Sequence, residues 1–253
     1  MTQSLKTITD LKKLRVITAA RIGLTRAGSS LSTHEILSFD LDHARARDAV
    51  HLPFNATEIT TALKTRGLEA LQVQSAAAER TIYLQRPDLG RQLDESSKQQ
   101  LNNIQSQNSL EFDLAIVIAD GLSAKAIHSN AIAFFDEFLS LLPAHGWKLA
   151  PVTVASQARV ALADEIGAAL NSRLSIILIG ERPGLTAADS MGIYITYAPQ
   201  KGRTDAERNC ISNIHQGGLS HKEAALQLEE LIIAAFQLQL TGLPLKKKLK
   251  SIL

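Results

Sequence analysis

Between residues 113 and 242, apolar segments of strand length alternate with segments whose apolar residues recur at helical spacing, and few folds accommodate that alternation. Asp113 to Ala119 reads as a largely apolar strand that ends in Asp120-Gly121. Ser123 is placed to cap a helix carrying Ile127, Ala131, Phe134, Phe138 and Leu142, which Pro143 and Gly146 then stop. Leu149 to Ala155 forms a second expected strand, followed by a helix around Val160 to Leu170. Leu174 to Ile179 is a third strand, apolar almost throughout, as for a strand covered on both faces. Ile193 to Tyr197 alternates more and belongs nearer an edge. Ser220-His221-Lys222-Glu223 has the pattern of a capping box and opens a long helix through Ala225, Leu228, Leu231, Ile232 and Phe236, ending near Gly242. The alternation predicts a Rossmann-like α/β region over 111–253, an open, mostly parallel sheet with helices on both faces. Ligands bind such sheets beyond the carboxyl ends of the strands. Two loops fall there: Asp120-Gly121-Leu122-Ser123 and Gly180-Glu181-Arg182-Pro183-Gly184.

Residues 1–110 read as a helical N-terminal region suited to subunit contacts. Ser32-Thr33-His34-Glu35 resembles a capping box opening a helix to about His51, before Pro53. A second helix follows Asn55, with Ile59, Leu63 and Leu68 or Leu71 on its buried side. Pro87 suits the first turn of another helix. The polar run from Glu95 to Asn108 is expected to lie exposed. Thr204-Asp205-Ala206-Glu207 is a further capping box, ahead of the only cysteine.

A chain of 253 residues with 45% hydrophobic and 21% charged content can bury a substantial core. A net charge of +2 lacks the basic stripe of a dedicated nucleic-acid binder, and Lys246, Lys247, Lys248 and Lys250 read as a solvated tail. One cysteine excludes an internal disulfide, and no apolar run reaches the ~20 residues of a membrane helix. The N-terminus lacks the apolar core of a secretory signal, which points to a soluble intracellular protein. Leu5, Ile8, Leu11 and Leu14 there suit a short amphipathic helix.

No G-x-G-x-x-G follows an expected strand and no G-x-x-x-x-G-K-[ST] occurs, so neither a dinucleotide nor a triphosphate is supported. The D-x-H-x-x-G loop of base-off cobalamin enzymes is also missing. No H-E-x-x-H or comparable spacing of metal ligands exists among the seven histidines. Cys210 as a nucleophile would need His215 as its base. Five residues along one helix turn the two well apart, so a structural or contact role is favoured. Asp42, Arg45 and Asp48 are spaced for a surface ion pair or, among several nearby arginines, for an interface. Glu181 either pairs with an arginine or accepts hydrogen bonds from a ligand rich in amides.

Several segments are similar to the small (light) subunit of ethanolamine ammonia-lyase, an adenosylcobalamin-dependent enzyme. They include 21–28 (RIGLTRAG), 41–48 (LDHARARD), 83–91 (YLQRPDLGR), 118–123 (IADGLS), 180–185 (GERPGL) and 208–214 (RNCISNI), in order over roughly residues 15 to 243. The resemblance implies a subunit of a lyase that converts ethanolamine to acetaldehyde and ammonia. In that family a TIM-barrel large subunit holds substrate and performs the radical chemistry. The cobalamin sits base-on between the two subunits, which agrees with the missing D-x-H-x-x-G loop. The family's small-subunit cobalamin contacts correspond to Val160, Glu181 and Cys210, all retained in type. Their chemistry suits contact with a corrin rather than catalysis. Some members carry a long N-terminal extension associated with bacterial microcompartments. Only about 15 residues precede the matched region here, so such targeting through this subunit is not expected, although the Leu5 to Leu14 segment could serve. The competing reading from another class is a stand-alone nucleotide- or small-molecule-binding α/β module.

Overall fold

The computed structural model describes residues 13–14, 17–18, 20–107 and 111–252. The short helix expected from Leu5, Ile8 and Leu11 lies outside them. A small antiparallel pair, β1 (Arg26–Ala27) and β2 (Ser30–Leu31), leads into α1 (Thr33–His51) and α2 (Ala56–Lys64). There follow β3 (Ala70–Gln74), α3 (Arg80–Gln85) and α4 (Glu95–Gln107). The alternating region comprises β4 (Phe112–Ala119), α5 (Ala124–Leu141), β5 (Val152–Ser156), α6 (Leu162–Ala169), β6 (Ser172–Gly180), β7 (Met191–Tyr197) and β8 (Asn209–Ile214). Helices α7 (His221–Leu238) and α8 (Leu243–Ile252) close the chain.

The main sheet has six strands in the order β3-β5-β4-β6-β7-β8. Strands β3, β5, β4 and β6 pair in parallel, whereas β7 is antiparallel to both β6 and β8. The α/β sheet is therefore mixed: a hairpin-like return through β7 and β8 closes the edge where the sequence predicted a continuing parallel pattern.

Side chains alternate across the strands and build two cores. Leu114, Ile116 and Ile118 of β4 join Leu174, Ile176 and Leu178 of β6 on one face, under Phe134, Phe135 and Phe138 of α5 and Leu228 and Ile232 of α7. Ala115, Val117 and Ala119 face the other way, with Ile177 and Ile179, under Leu162 and Ile166 of α6 and Leu101 of α4. That is why β4 and β6 read as unbroken apolar runs: both faces are covered.

Four expectations from sequence are corrected or refined. Helix α2 stops at Lys64, and Leu71 belongs to β3, so the sheet draws a strand from the stretch expected to be helical. The helix near Pro87 ends before the proline: α3 stops at Gln85, because the residue preceding a proline disfavours helical backbone. Only a 3-10 turn, Leu89–Arg91, follows. The polar run from Glu95 is exposed over much of its length as expected, but it is the helix α4, seated on the sheet through the buried Leu101 and Ser97. The C-terminal basic cluster lies within α8, seated by the buried Leu245, and not in a loose tail.

The first turn of α5 is capped by Ser123, whose hydroxyl accepts from the Ala126 amide at 3.2 Å and donates to the Ala188 carbonyl at 2.8 Å. The loops after β4 and β6 are in backbone contact. The Leu122 amide donates to the Gly180 carbonyl at 2.9 Å. A Cβ on Gly180 would lie 2.1 Å from the Ser123 carbonyl oxygen, and one on Gly121 would lie 2.3 Å from the Gly180 oxygen. Gly121 moreover has φ +56°, where side chains with a Cβ are strained. Gly180→Ala is therefore expected to cost about 3 kcal/mol or more, above the usual range for overpacking because the obstacle is backbone. Gly184→Ala, whose Cβ would meet nothing nearer than 3.6 Å, is expected to stay within about 0.5 kcal/mol. Urea midpoints of the two variants test this, and equal midpoints would contradict the close approach.

Candidate functional site

Helices attached to β4 and β5 pack on opposite faces of the sheet, so their neighbouring carboxyl ends mark a reversal in the winding, where open α/β sheets form a crevice. A buried ion pair organises that edge. Asp120, only 1% exposed, follows β4 directly. Its Oδ1 accepts from the Ala158 amide beyond β5 at 3.1 Å, and its Oδ2 faces Arg80 Nη1 at 3.3 Å. Arg80 Nη1 also donates to the Gly121 carbonyl at 2.8 Å and to Gln157 Oε1 at 3.2 Å. Its Nε donates to the Val50 carbonyl of α1 at 2.7 Å. One side chain thus ties α1 and α3 to the loops after β4 and β5. Burial raises the Asp120 carboxyl to about 6 from its ordinary 3.8, although Arg80 and three backbone amides pull it down.

Tyr83, fully buried, packs against two guanidinium groups. Arg80 Cζ is 4.8 Å and Arg159 Cζ 4.2 Å from its ring centroid. The hydroxyl donates to the Ala158 carbonyl at 3.1 Å, and burial raises its pKa. Arg159 Nη2 donates to the Tyr83 carbonyl at 3.2 Å. The Arg159 amide donates to the Gly90 carbonyl at 2.8 Å, and a Cβ on Gly90 would come within 2.9 Å of the Arg159 side chain. Arg159 is therefore fixed at the sheet edge.

In front of this framework is an open concavity of about 420 Å³ whose walls include Val160, Glu181, Arg159, Tyr194, Leu122 and Ile179. Val160 enters from the loop between β5 and α6, and Glu181 follows β6 directly. Glu181 forms no ion pair with an arginine among the described residues. Its Oε2 accepts from the Ser190 hydroxyl at 2.5 Å and from the Asn213 amide at 3.3 Å. The carboxylate rests over Gly192, where a Cβ would lie 2.9 Å from Oε1. Among the described residues Oε1 accepts no hydrogen bond.

Cys210 lies on β8, not on a helix, in register with Tyr194 of β7. It is exposed, and Tyr194 is its direct cross-strand neighbour. Desolvation raises the thiol pKa, the Glu181 carboxylate adds to the rise, and the Tyr194 hydroxyl opposes it. His215 is engaged elsewhere: its Nε2 lies 3.0 Å from Asn213 Oδ1 and its Nδ1 accepts from the Gly217 amide at 3.2 Å. Among the described residues no histidine reaches the thiol, and its pKa is shifted away from activation.

The structure thus brings Val160 and Glu181 into one concavity and attaches Cys210 to it through Tyr194. Sequence reasoning missed Tyr194, Arg80 and Ser190. Alternation in β7 held the one available signal, since it sets Tyr194 on the face opposite Ile193 and Ile195. A second, larger concavity of about 670 Å³ adjoins the first and shares Arg159 and Val160 with it. Asp42, the other acidic candidate, pairs with Arg21 at 3.0 Å and Arg45 at 3.7 Å, far along the chain from this edge.

These features define an α/β protein with a concave surface at the reversal point of its sheet; no His, Cys, Asp and Glu cluster able to hold a metal occurs among the described residues. Among those residues no helix is long and apolar enough to cross a membrane. The family described as ethanolamine ammonia-lyase light chain (EutC) matches residues 9–246. The chain is 50% identical over 234 residues to an ethanolamine ammonia-lyase small subunit of Xanthomonas campestris pv. campestris, covering 92% of this chain and 86% of that one. Against the protein of that name from Azotobacter vinelandii it is 50% identical over 235 residues, covering 93% and 87%. For the Pseudomonas aeruginosa protein of that name the identity is 51% over 233 residues, covering 92% and 85%. The chain belongs to the ethanolamine ammonia-lyase light-chain family.

Asp120 gives the fold a characteristic pH dependence. Its carboxyl keeps its proton to higher pH in the folded chain than in the unfolded one. Its contribution is therefore whole below about pH 3.8, is lost as pH rises through about 6, and is constant above that. The span corresponds to about 3 kcal/mol. Urea unfolding at pH 4.5, 5.5 and 7 is expected to show this decline in the native chain and a flatter profile in Asp120→Asn. Parallel profiles for the two proteins would contradict the assignment.

Proposed function

We propose that this chain is the small subunit of an ethanolamine ammonia-lyase, and that its sheet-edge concavity forms one wall of an adenosylcobalamin site completed by a TIM-barrel large subunit. The observation that carries this reading is the convergence of Val160, Glu181 and the Tyr194–Cys210 pair on one open surface. The surface is too shallow to enclose a corrin with its nucleotide tail, which fits a shared site. Its donor set also suits the group. Val160, Leu122 and Ile179 offer apolar contact to a macrocycle edge, while Glu181, Arg159 and the Tyr194 hydroxyl can meet the amides around it. When bound, the cofactor supplies the radical chemistry that converts ethanolamine to acetaldehyde and ammonia.

The residues of this chain bind and orient. Ser190 and the Asn213 amide hold Glu181 Oε2, which leaves Oε1 to accept from an amide N–H of the ligand. Val160 packs on apolar surface beside it. The Cys210 thiol, with its raised pKa, presents a compact neutral contact. Substrate and the reacting atoms lie with the large subunit.

The purified chain is expected to show no deamination of ethanolamine in the presence of adenosylcobalamin, and full activity on addition of the large subunit. Turnover by the chain alone would sink the reading, and failure to co-purify with a large subunit would favour a stand-alone binding module. Within the assembled complex, Glu181→Gln keeps the shape of the side chain. It is expected to weaken adenosylcobalamin binding roughly tenfold through loss of a charge-assisted bond, with assembly unchanged. An unaltered cofactor titration would remove Glu181 from the site.

A further inference from the structure

Charge in the larger concavity is unevenly satisfied. Its carboxylates are all engaged within the chain. Asp88 accepts two bonds from Arg86 at 3.0 and 2.7 Å, Asp205 accepts from Arg208 at 2.8 Å, and Glu165 Oε2 accepts from the Leu93 amide at 2.8 Å. Its cations divide into two groups. Arg203 and Arg208 are paired with Glu207, Asp164 and Asp205. Arg159, Arg91 and Lys201 form no ion pair among the described residues, and all three line this concavity. Three cations without an ion pair therefore face one carboxylate without one, Glu165, so the net charge of the wall is positive.

Arg159 is the distinctive member. Arg80, which also lies against Tyr83, has the Asp120 carboxylate as its counter-ion; Arg159 has none among the described residues. Of its five donors, one reaches the Tyr83 carbonyl, and its Nε is buried without a partner. The stack on Tyr83 and the close fit under Gly90 fix the plane of the guanidinium, so little side-chain entropy remains to be lost on binding. A fixed planar cation with free donors and no counter-ion recognises phosphate or carboxylate. It stands in the wall common to both concavities.

We propose that Arg159 recognises the phosphodiester of the cofactor's nucleotide tail, and that the tail lies in the larger concavity, with Arg91 and Lys201 on its rim. The assignment rests on the cobalamin-wall reading above and adds a direction to it. The corrin edge lies against Val160 and Glu181, and the tail leaves past Arg159. Phosphodiester is the anionic group of a cobalamin, and among the described residues the larger concavity holds three cations without an ion pair, Arg159, Arg91 and Lys201, against two, Arg159 and Arg182, in the smaller one.

The test uses the complex reconstituted with the large subunit and two probes, adenosylcobalamin and adenosylcobinamide, which lacks the phosphate and the base. In the native complex adenosylcobinamide is expected to bind at least tenfold more weakly than adenosylcobalamin. Arg159→Met is expected to weaken adenosylcobalamin at least tenfold and adenosylcobinamide less than twofold, with Arg159→Lys in between. Arg91→Ala changes an exposed side chain on the larger concavity alone, so it leaves the fold intact. It is expected to give a smaller loss, about threefold, again for adenosylcobalamin only. Equal weakening of both probes by Arg159→Met, or no weakening of either, would overturn the phosphate assignment while leaving the cobalamin wall standing. A native complex that binds neither probe would instead remove the wall itself.

Discussion

The buried contact between Arg80 and Asp120 is the constraint on which the sheet edge depends. A carboxylate at the end of a central strand, almost without solvent, is costly unless its lone pairs are filled. Here both oxygens are engaged, one by Arg80 and one by the Ala158 amide. The cost is nonetheless visible in the raised pKa of Asp120. The arrangement secures geometry, because Arg80 also holds carbonyls of α1 and of the loop after β4 together with Gln157 beyond β5. Removing either charge would leave the other buried and would release several chain segments at once.

From that contact the positions of the binding residues follow by short steps. Arg80 stacks on Tyr83, Tyr83 holds the Ala158 carbonyl, and Ala158 precedes Arg159 and Val160. On the other side, the backbone contact between Gly121 and Gly180 fixes where β6 ends, and Glu181 is the next residue. Val160 and Glu181 thus face one concavity although different strands carry them. Each follows closely on a clamp of backbone and buried polar groups, and Ser190 and the Asn213 amide then orient the Glu181 carboxylate.

Much of this was legible in the sequence, and what was not has a physical cause. Strands β4, β5 and β6 and helices α5 and α7 declared themselves because two-sided burial writes long apolar runs and helical stripes. Glu181 and Val160 were visible through family resemblance, and the strand-end position of Glu181 through periodicity. Strand β8 was hidden. A bulge between Met191 and Ile193 shifts its register, so its buried residues Ile211 and Ile214 are three apart and imitate a helical spacing. Strand β3 was hidden because only Val73 of its five residues is buried. The partners of Glu181 could not be read either: Ser190 lies nine residues on and Asn213 on another strand, and only the fold of the 181–190 loop brings them together.

The titratable groups of this chain are spent on architecture and recognition. Asp120 and Asp164, both raised by burial, each serve a buried arginine, Arg80 and Arg208. Tyr83 and Tyr194 are raised as well and remain hydroxyl donors, and the Cys210 thiol is held neutral. A nucleophile or base would need a shift in the activating direction beside a reaction space, as with a thiol pulled down by a neighbouring cation. At this sheet edge the shifts run the other way, and Arg159, which has no counter-ion among the described residues, has no proton to exchange at physiological pH. The physical means of such a surface are those for gripping and orienting a large polar ligand.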